Sequence, residues 1–280
     1  MRADSHSQRV HDQLIGSQQF DLGQVQADEI KARTQGGSWW MAMAVMVSTR
    51  LWLGGVVGPT RDRALSSALV AQVRTVALCR PLLLTFDGLP GYVSAFRKAF
   101  RSPLVSDKVG RPRLVSWPDV TMAQVIKRKT DGVLTVERRI VQGGQALVER
   151  LIRTSQGGGG INTSYIDRLN TTFRARLFVL VRRSRALART GQTLVHGRYL
   201  TAAVYNFCTD HKCLRQVLYV ADGRRVKRRW VRRTPAMAAG LSHYRWTVLE
   251  LMTYKLPPPQ PRPPPRRSPG RRSPALQASS

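Results

Sequence analysis

Three aspartates stand where folding could bring their carboxylates together. Asp28 belongs to the short extended segment 24–32, Asp87 ends the apolar run 81–86, and Asp167 falls in the first turn of a predicted amphipathic helix. Carboxylate oxygens are the hard ligands that Mg²⁺ or Mn²⁺ prefers. Two such ions about 4 Å apart can activate the attacking oxygen and stabilise the leaving oxygen of a phosphodiester. We therefore predict that Asp28, Asp87 and Asp167 are the catalytic and metal-holding residues of a two-ion site.

Two of these acids also have simpler interpretations. An acid directly after a strand, such as Asp87, can cap the helix that follows it. Asp167 stands three residues after Ser164, where the positive end of a helix dipole favours an acid. The prediction of a metal site therefore depends on the three acids jointly.

Hydrophobic periodicity predicts the elements that would position the first two acids. Segments 24–32, 39–47 and 51–57 are short, largely apolar and separated by turn residues, a pattern typical of three consecutive antiparallel strands. Apolar residues then recur at every third or fourth position after Asp62, which predicts a helix capped by that residue. The apolar run that stops at Asp87 is typical of a buried parallel strand.

Further along the chain, Pro90 suits the first turn of a helix that carries an aromatic stripe. Segment 114–117 is predicted to be a fifth strand. Residues 131–160 are predicted to form an insertion with a helix around 146–152. The helix of Asp167 follows, and a second one is predicted through 194–207.

This order of elements indicates an α/β, ribonuclease H-like fold, a mixed sheet of about five strands flanked by helices, with a basic helical C-terminal extension. The predicted domains are an N-terminal remnant at 1–21, a catalytic domain at 22–185, a basic DNA-binding extension at 186–256 and a disordered, Pro- and Arg-rich tail at 257–280.

Net charge predicts a polyanionic partner. The 280 residues include 46 Lys and Arg against 16 Asp and Glu, a formal net charge of +30, which is far more than solubility requires. From Asp167 to the end of the chain, 24 basic residues face 4 acidic ones. The basic surface is therefore concentrated toward the C-terminus.

Cysteine usage and hydropathy predict a cytoplasmic protein. Three cysteines are too few for a disulfide framework, which fits a reducing cytosol. Cys208, His211 and Cys213 lack a fourth ligand nearby, so two small buried thiols are a better interpretation than zinc. The first twenty residues contain no apolar core of a signal peptide, and polar residues and glycines interrupt the apolar stretch 39–57. We therefore expect no membrane span.

Several segments resemble known sequence blocks. Val25-Gln-Ala-Asp-Glu29, Thr85-Phe-Asp-Gly88 and the segment from Ile161 to Arg174 look like the three acidic blocks of DDE insertion-sequence transposases, and most closely those of the insertion-sequence-one type. Segments 182–189 and 205–211 look like that group's C-terminal blocks. The resemblance spans about residues 22 to 256.

This resemblance implies metal-dependent DNA cleavage followed by attack of the freed 3′ hydroxyl on target DNA, with two Mg²⁺ or Mn²⁺ ions held by Asp28, Asp87 and Asp167. The implied partners are double-stranded DNA, both transposon ends and target, and further copies of the chain assembled on it; the implied location is the bacterial nucleoid. Two features depart from the family pattern. Asp167 stands where the family has Glu, one methylene longer, and only 27 residues precede Asp28, whereas the family carries an N-terminal recognition portion.

Residues predicted to contact DNA lie on the Asp167 helix and in the basic C-terminal part. Arg168 and Arg174 could contact phosphate near the site, although a solvated helix face explains them equally well. Trp230, flanked by arginines, is a candidate for base stacking, whereas tryptophans of the first strands are expected to pack in the core. The full predicted set is Arg168, Arg174, Arg182, Arg183, Lys227, Arg228, Arg229 and Trp230.

Two other functions remain open from the sequence. Asp167 and the short N-terminus also fit a truncated, catalytically inactive transposase remnant that acts only as a basic DNA-binding protein. A ribonuclease or resolvase could use the same acids on the same fold, but the C-terminal blocks disfavour it.

Overall fold

The structure is a computed structural model, and it describes residues 3–104, 112–180, 190–222 and 225–256. The helices are α1 (Ala3–His11), α2 (Arg63–Thr75), α3 (Pro90–Ala99), α4 (Gln145–Gln156), α5 (Ser164–Arg176), α6 (Gly191–Ala203), α7 (Pro235–Ala238) and α8 (Val248–Thr253). The strands are β1 (Gln24–Thr34), β2 (Gly37–Met46), β3 (Trp52–Gly58), β4 (Leu82–Asp87), β5 (Arg101–Pro103), β6 (Leu114–Ser116), β7 (Val120–Thr130), β8 (Val133–Gln142), β9 (His211–Asp222) and β10 (Arg225–Arg233).

A mixed six-stranded sheet forms the centre of the fold, in the order β3-β2-β1-β4-β7-β8. The first three strands pair antiparallel, as predicted, and β1, β4 and β7 run parallel to one another. The antiparallel strand β8 completes the far edge. The α/β class with a mixed sheet is confirmed, and this strand order is compatible with a ribonuclease H-like fold.

Helices cover both faces of the sheet. On one face, Leu69 of α2 and Phe96 of α3 pack in the same buried cluster as Phe86 of β4. On the other face, Phe173 of α5 packs near Trp52 of β3. Strand β4 is therefore buried on both faces, which explains why its sequence is continuously apolar instead of alternating.

Local sequence signals placed α2 and α3 correctly. The Asp62 carboxylate accepts a hydrogen bond from the backbone N–H of Leu65 and so caps α2. Pro90 begins α3, where its missing N–H costs nothing. Tyr92 and Phe96 of the predicted aromatic stripe are buried.

The predicted fifth strand is wrong in its position. Residues 114–116 form β6, which pairs only with β5 in a separate two-stranded sheet, and its Leu114 and Val115 are exposed. The fifth strand of the main sheet is β7, whose buried half, 120–125, is long enough to cross the sheet beside β4. A continuously buried strand outcompetes a three-residue segment because it removes more apolar surface from water.

Residues 131–160, predicted to form an insertion, contribute β8 and α4 to the α/β layers. The predicted helix around 146–152 is confirmed within α4, and Val148 packs in one buried cluster with Leu83 of β4. Gly157 ends α4 in a left-handed conformation, with φ of 80°, that favours glycine.

The C-terminal extension is only partly helical. The helix predicted through 194–207 is confirmed as α6, which continues into a π-helical turn at Val204–Cys208. The helical prediction is wrong for 211–222 and 225–233, where β9 and β10 form a two-stranded antiparallel ribbon. The run Val217-Leu-Tyr-Val220 and the residues Val226, Trp230 and Val231 are rich in β-branched and aromatic types that favour a strand. The predicted disordered tail 257–280 lies outside the described residues.

Both ends of the described chain pack against each other. The predicted N-terminal remnant contains α1, whose Val10 is fully buried. His6 Nε2 lies 3.0 Å from the carbonyl oxygen of Leu251 in α8, and Asp4 forms an ion pair with His196 of α6. Within the described residues, no helix combines the length and the apolarity that crossing a membrane requires.

Candidate metal centre

Parallel pairing of β1 and β4 brings two of the predicted acids together. Ala27 is in register with Phe86, so Asp28 and Asp87 are adjacent at the carboxyl end of β4. Asp167, from the first turn of α5, lies across from them. All three aspartates line one open cleft of about 440 Å³. The structure thus assembles residues from three elements that are far apart in sequence.

The tightest group of carboxylates contains Glu29 in place of Asp167. Ligand oxygens of Asp28, Glu29 and Asp87 lie within 4.8 Å of one another, an arrangement that could hold a metal ion. The sequence shows Glu29 as the second acid of a pair, without assigning it a role. Asp28 and Glu29 are consecutive residues within β1, so their side chains leave opposite faces of the strand, and both lie close to Asp87 at the end of β4.

Asp28 carries a strongly perturbed carboxyl group. Burial, followed by the nearby carboxylates of Glu29, Asp87 and Asp167, raises the pKa of Asp28 from 3.8 to about 7. Asn170 of α5 donates a hydrogen bond of 2.7 Å to Asp28 Oδ2 and so fixes its orientation. A divalent cation beside these acids would favour the ionised form, since opposite charge lowers a carboxyl pKa.

Glu29 is the most deeply buried of the acids, with a side chain only 1% exposed. Arg61 donates two hydrogen bonds, of 3.0 and 2.8 Å, to Oε2 of Glu29, while Oε1 has no hydrogen-bond partner among the described residues. The Tyr92 hydroxyl is buried beside Glu29 and interacts with its carboxyl group. Burial raises the pKa of Glu29. Glu29 is thus a buried carboxyl group in a cluster of acids that could hold a metal ion.

Asp87 makes one contact just ahead of the following helix and one in the cleft. Its Oδ1 accepts a hydrogen bond of 2.9 Å from the backbone N–H of Leu89 at the start of α3. Its Oδ2 lies 2.5 Å from Nη2 of Arg61 in the cleft. This local turn contact precedes α3 without capping it, and it orients the carboxylate so that the other oxygen remains directed into the cleft.

Asp167 faces the cleft but pairs with a lysine. Lys127 Nζ of β7 lies 2.8 Å from Asp167 Oδ2, and the Thr163 hydroxyl lies 3.3 Å from the same oxygen. Sequence reasoning missed both Lys127 and Arg61 as parts of the site. No local pattern marks them, since Arg61 comes from a loop and Lys127 stands at the start of a basic run.

The predicted DNA-contacting residues are spread over two surfaces. Arg168 is exposed on α5 and Arg174 is half-buried there. Trp230 of β10 is 44% exposed and lies between two guanidinium groups, 4.2 Å from Arg215 and 4.7 Å from Arg228. Lys227, Arg228 and Arg229 are also exposed on β10, whereas Arg182 and Arg183 lie outside the described residues.

Burial and hydrogen bonding indicate the roles of several residues outside the cleft. Trp52 is fully buried, which confirms a packing role for that tryptophan. Asn206 is buried and hydrogen-bonds the backbone N–H and carbonyl of Trp52, so its role is structural. The expectation of two buried thiols is wrong, because Cys213 is exposed and Cys208 is half-buried. Exposure follows from the position of Cys213 on the projecting ribbon.

Comparison with known proteins adds no family to this description. A scan against models of protein families and a search of curated proteins both found no match for this chain. The chemistry of the site therefore rests on its own geometry: three clustered carboxyl groups, a fourth acid across the cleft, and the two cations that pair with them.

Proposed function

We propose that this chain is a transposase of the acidic-triad type, which cleaves and joins double-stranded DNA at a site formed by Asp28, Asp87 and Asp167. The observation that supports this most is the convergence of the three predicted acids, from β1, β4 and α5, on one cleft. The resemblance of the surrounding segments to the acidic blocks of insertion-sequence transposases adds the kind of reaction.

The architecture supports a ribonuclease H-like assignment. Three antiparallel strands precede a helix and a parallel strand whose end carries an acid, and a later helix supplies another acid. Parallel pairing sets Asp28 of β1 beside Asp87 at the carboxyl end of β4, and α5 adds Asp167 to the same cleft. The additional edge strand β8 extends the sheet without displacing the cleft.

Each part of the site has a task in this proposal. Two Mg²⁺ or Mn²⁺ ions supply an activated oxygen nucleophile and stabilise the leaving oxygen in this class of chemistry. Asp28, Asp87 and Asp167 hold the ions, and Glu29 is available as a further ligand. Asn170 and the Leu89 backbone N–H orient two of the carboxylates.

Charge supports duplex DNA as the substrate. A net charge of +30 attracts a polyanion over long range, and the β9–β10 ribbon exposes further cations together with Trp230. We propose that Arg168, Arg174 and the basic residues of β10 contact phosphates of transposon-end or target DNA, and that copies of the chain assemble on that DNA.

A catalytically inactive DNA-binding protein is the second candidate. Asp167 stands outside the tight carboxylate cluster and is paired with Lys127, which is what a site that has lost its third ligand would show. The two functions share the basic surface and differ in whether the cleft supports cleavage.

Nicking of supercoiled plasmid separates the two candidates. We expect the wild-type chain to nick DNA only with Mg²⁺ or Mn²⁺, and Asp87→Asn to reduce the rate by roughly 100-fold or more, because it removes a metal-holding charge. Asp119→Asn is the matched control: Asp119 is exposed at the opposite end of β7, and Asn tolerates its positive φ of 55°. DNA binding without any divalent-dependent nicking would favour the inactive protein.

A further inference from the structure

Lys127 is the cleft residue whose position the proposed reaction does not explain. It stands on β7, and its ammonium group pairs with Asp167, the predicted ligand that lies outside the tight carboxylate cluster. Both partners are about half exposed, with side chains 48% and 44% accessible. Lys127 therefore neutralises the charge of Asp167 in an ion pair that remains exposed to solvent.

The two cations of the cleft are held very differently. Arg61 makes two hydrogen bonds to the buried carboxylate of Glu29 and a third contact to Asp87. Breaking that pair would leave an uncompensated buried charge, which is costly. Lys127 has a single solvent-exposed ion pair, and such pairs contribute only about 0–1 kcal/mol. Lys127 can therefore leave its carboxylate at little cost, whereas Arg61 is fixed.

Release of Lys127 from Asp167 matters for DNA binding because of the charge of the cleft. Among the described residues, four carboxyl groups line it or lie beside it against two cations, so this excess of acids opposes the entry of a phosphate even though the whole chain is basic. Lys127 continues directly into Arg128 and Lys129, which are exposed on the same strand. A free Lys127 would extend this basic run to the edge of the carboxylates.

We infer that Lys127 is an exchangeable counterion: it neutralises Asp167 in the metal-free protein and passes to a DNA phosphate when a divalent cation takes the carboxylate. This inference rests on the proposed function of the same cleft. Metal binding and DNA binding then strengthen each other. A bound metal ion frees Lys127 for a phosphate, and a phosphate that holds Lys127 frees the Asp167 carboxylate for the metal ion.

Metal affinity without DNA is the first test. Binding of Mn²⁺ to the full chain is measured by electron paramagnetic resonance for wild type, Lys127→Gln and Lys129→Gln. Removing the competing ammonium should tighten Mn²⁺ binding about two- to fivefold in Lys127→Gln, the range that corresponds to an exposed ion pair. Lys129→Gln, two residues along the same strand, should match wild type. Unchanged or weaker binding in Lys127→Gln, or no Mn²⁺ binding by any of the three proteins, would overturn the inference.

A double-mutant cycle assigns the effect to Asp167. In an Asp167→Asn background, Lys127→Gln should leave Mn²⁺ affinity unchanged, because the carboxylate for which both cations compete is gone. An equal gain in that background would show that Lys127 acts only through the general charge of the cleft, and would contradict the inference.

The transfer to phosphate is tested with a duplex oligonucleotide. Fluorescence anisotropy gives the affinity for DNA with and without Mn²⁺, and the Mn²⁺-dependent gain should be smaller in Lys127→Gln than in wild type or Lys129→Gln. An equal gain in all three proteins would refute the transfer. If plasmid nicking is absent while the Mn²⁺ shift is present, the proposed reaction fails and the counterion role of Lys127 stands.

Discussion

Among the acidic residues of the cleft, Asp28 is the one whose ionised form the fold disfavours most. It is half-buried beside two other carboxylates, and Asn170 is its side-chain hydrogen-bond donor. Its raised pKa, about 7, means that the folded protein favours the protonated form. Function-bearing acids of this kind reduce the stability of the fold that holds them.

We therefore expect Asp28→Asn to stabilise the metal-free protein. The unfolded chain loses the Asp28 proton near pH 3.8, whereas the folded chain keeps it up to about pH 7, so wild-type stability falls between these values as pH rises. The gain from Asp28→Asn should be on the order of 1–3 kcal/mol above pH 7 and should shrink toward pH 4. Urea denaturation in the presence of a chelator, at pH 8 and pH 5, measures it.

Asp167→Asn is the comparison within the same cleft. Asp167 is 44% exposed and paired with Lys127, so its removal should change the free energy of unfolding by less than about 0.5 kcal/mol. A gain as large as that of Asp28→Asn would mean that total charge, and not burial, limits stability at this site.

Among the elements, the β9–β10 ribbon has the composition of a nucleic-acid-binding surface. Over residues 211–233 the sequence contains nine Lys and Arg and a single acid. Tyr219 is 73% exposed and Trp230 is 44% exposed. Arg228 is paired with Tyr219 and Arg229 with Leu218, so consecutive arginines point to opposite faces of the ribbon.

Salt dependence of DNA binding tests this ribbon. Each phosphate contact that is lost should reduce the slope of log affinity against log salt concentration by about one, because fewer counterions are released. We expect Arg228→Gln combined with Arg229→Gln to reduce the slope by about two if both faces contact DNA. A reduction from only one of the single variants would identify the contacting face.

Arg150→Gln controls for the general loss of charge, since Arg150 is exposed on α4 and away from the ribbon. Its slope should equal that of wild type. Equal reductions in all of these variants would argue against the ribbon as a specific DNA surface.

In the whole molecule, the N-terminal segment is integrated into the same core as the C-terminal helices. Val10 and Ile15 are fully buried, and α1 packs against α6 and α8. His11 lies with its ring centroid 4.7 Å from that of Trp52 in the central sheet. The segment therefore contributes to the stability of the entire fold.

We expect Ile15→Ala to lower the free energy of unfolding by about 2–4 kcal/mol, the usual cost of a cavity at a fully buried aliphatic side chain. Gln18→Ala, at an exposed position three residues away, should have little effect. Urea denaturation of both variants checks this. A small effect of Ile15→Ala would mean that the N-terminal segment separates from the core without unfolding it.

The sequence by itself determined the elements whose signals are local. The first three strands, α2 with its Asp62 cap, β4 and α3 all follow from short-range periodicity and from residues that cap or begin helices. The grouping of Asp28 with Asp87 was a prediction from the acids jointly and from the resemblance, whereas the register of β1 against β4 that makes them neighbours is a tertiary feature.

Three features followed only from the tertiary structure: the outer strands β7 and β8 of the main sheet, the β9–β10 ribbon, and the cations that pair with the acids. Basic residues conceal the strand pattern in the last part of β7 and in the middle of β8, and the pairing of β9 with β10 depends on register. Arg61 and Lys127 reach the carboxylates from a loop and from a neighbouring strand. Such contacts join residues far apart in sequence, and their free energy depends on burial and distance, which composition and spacing do not contain.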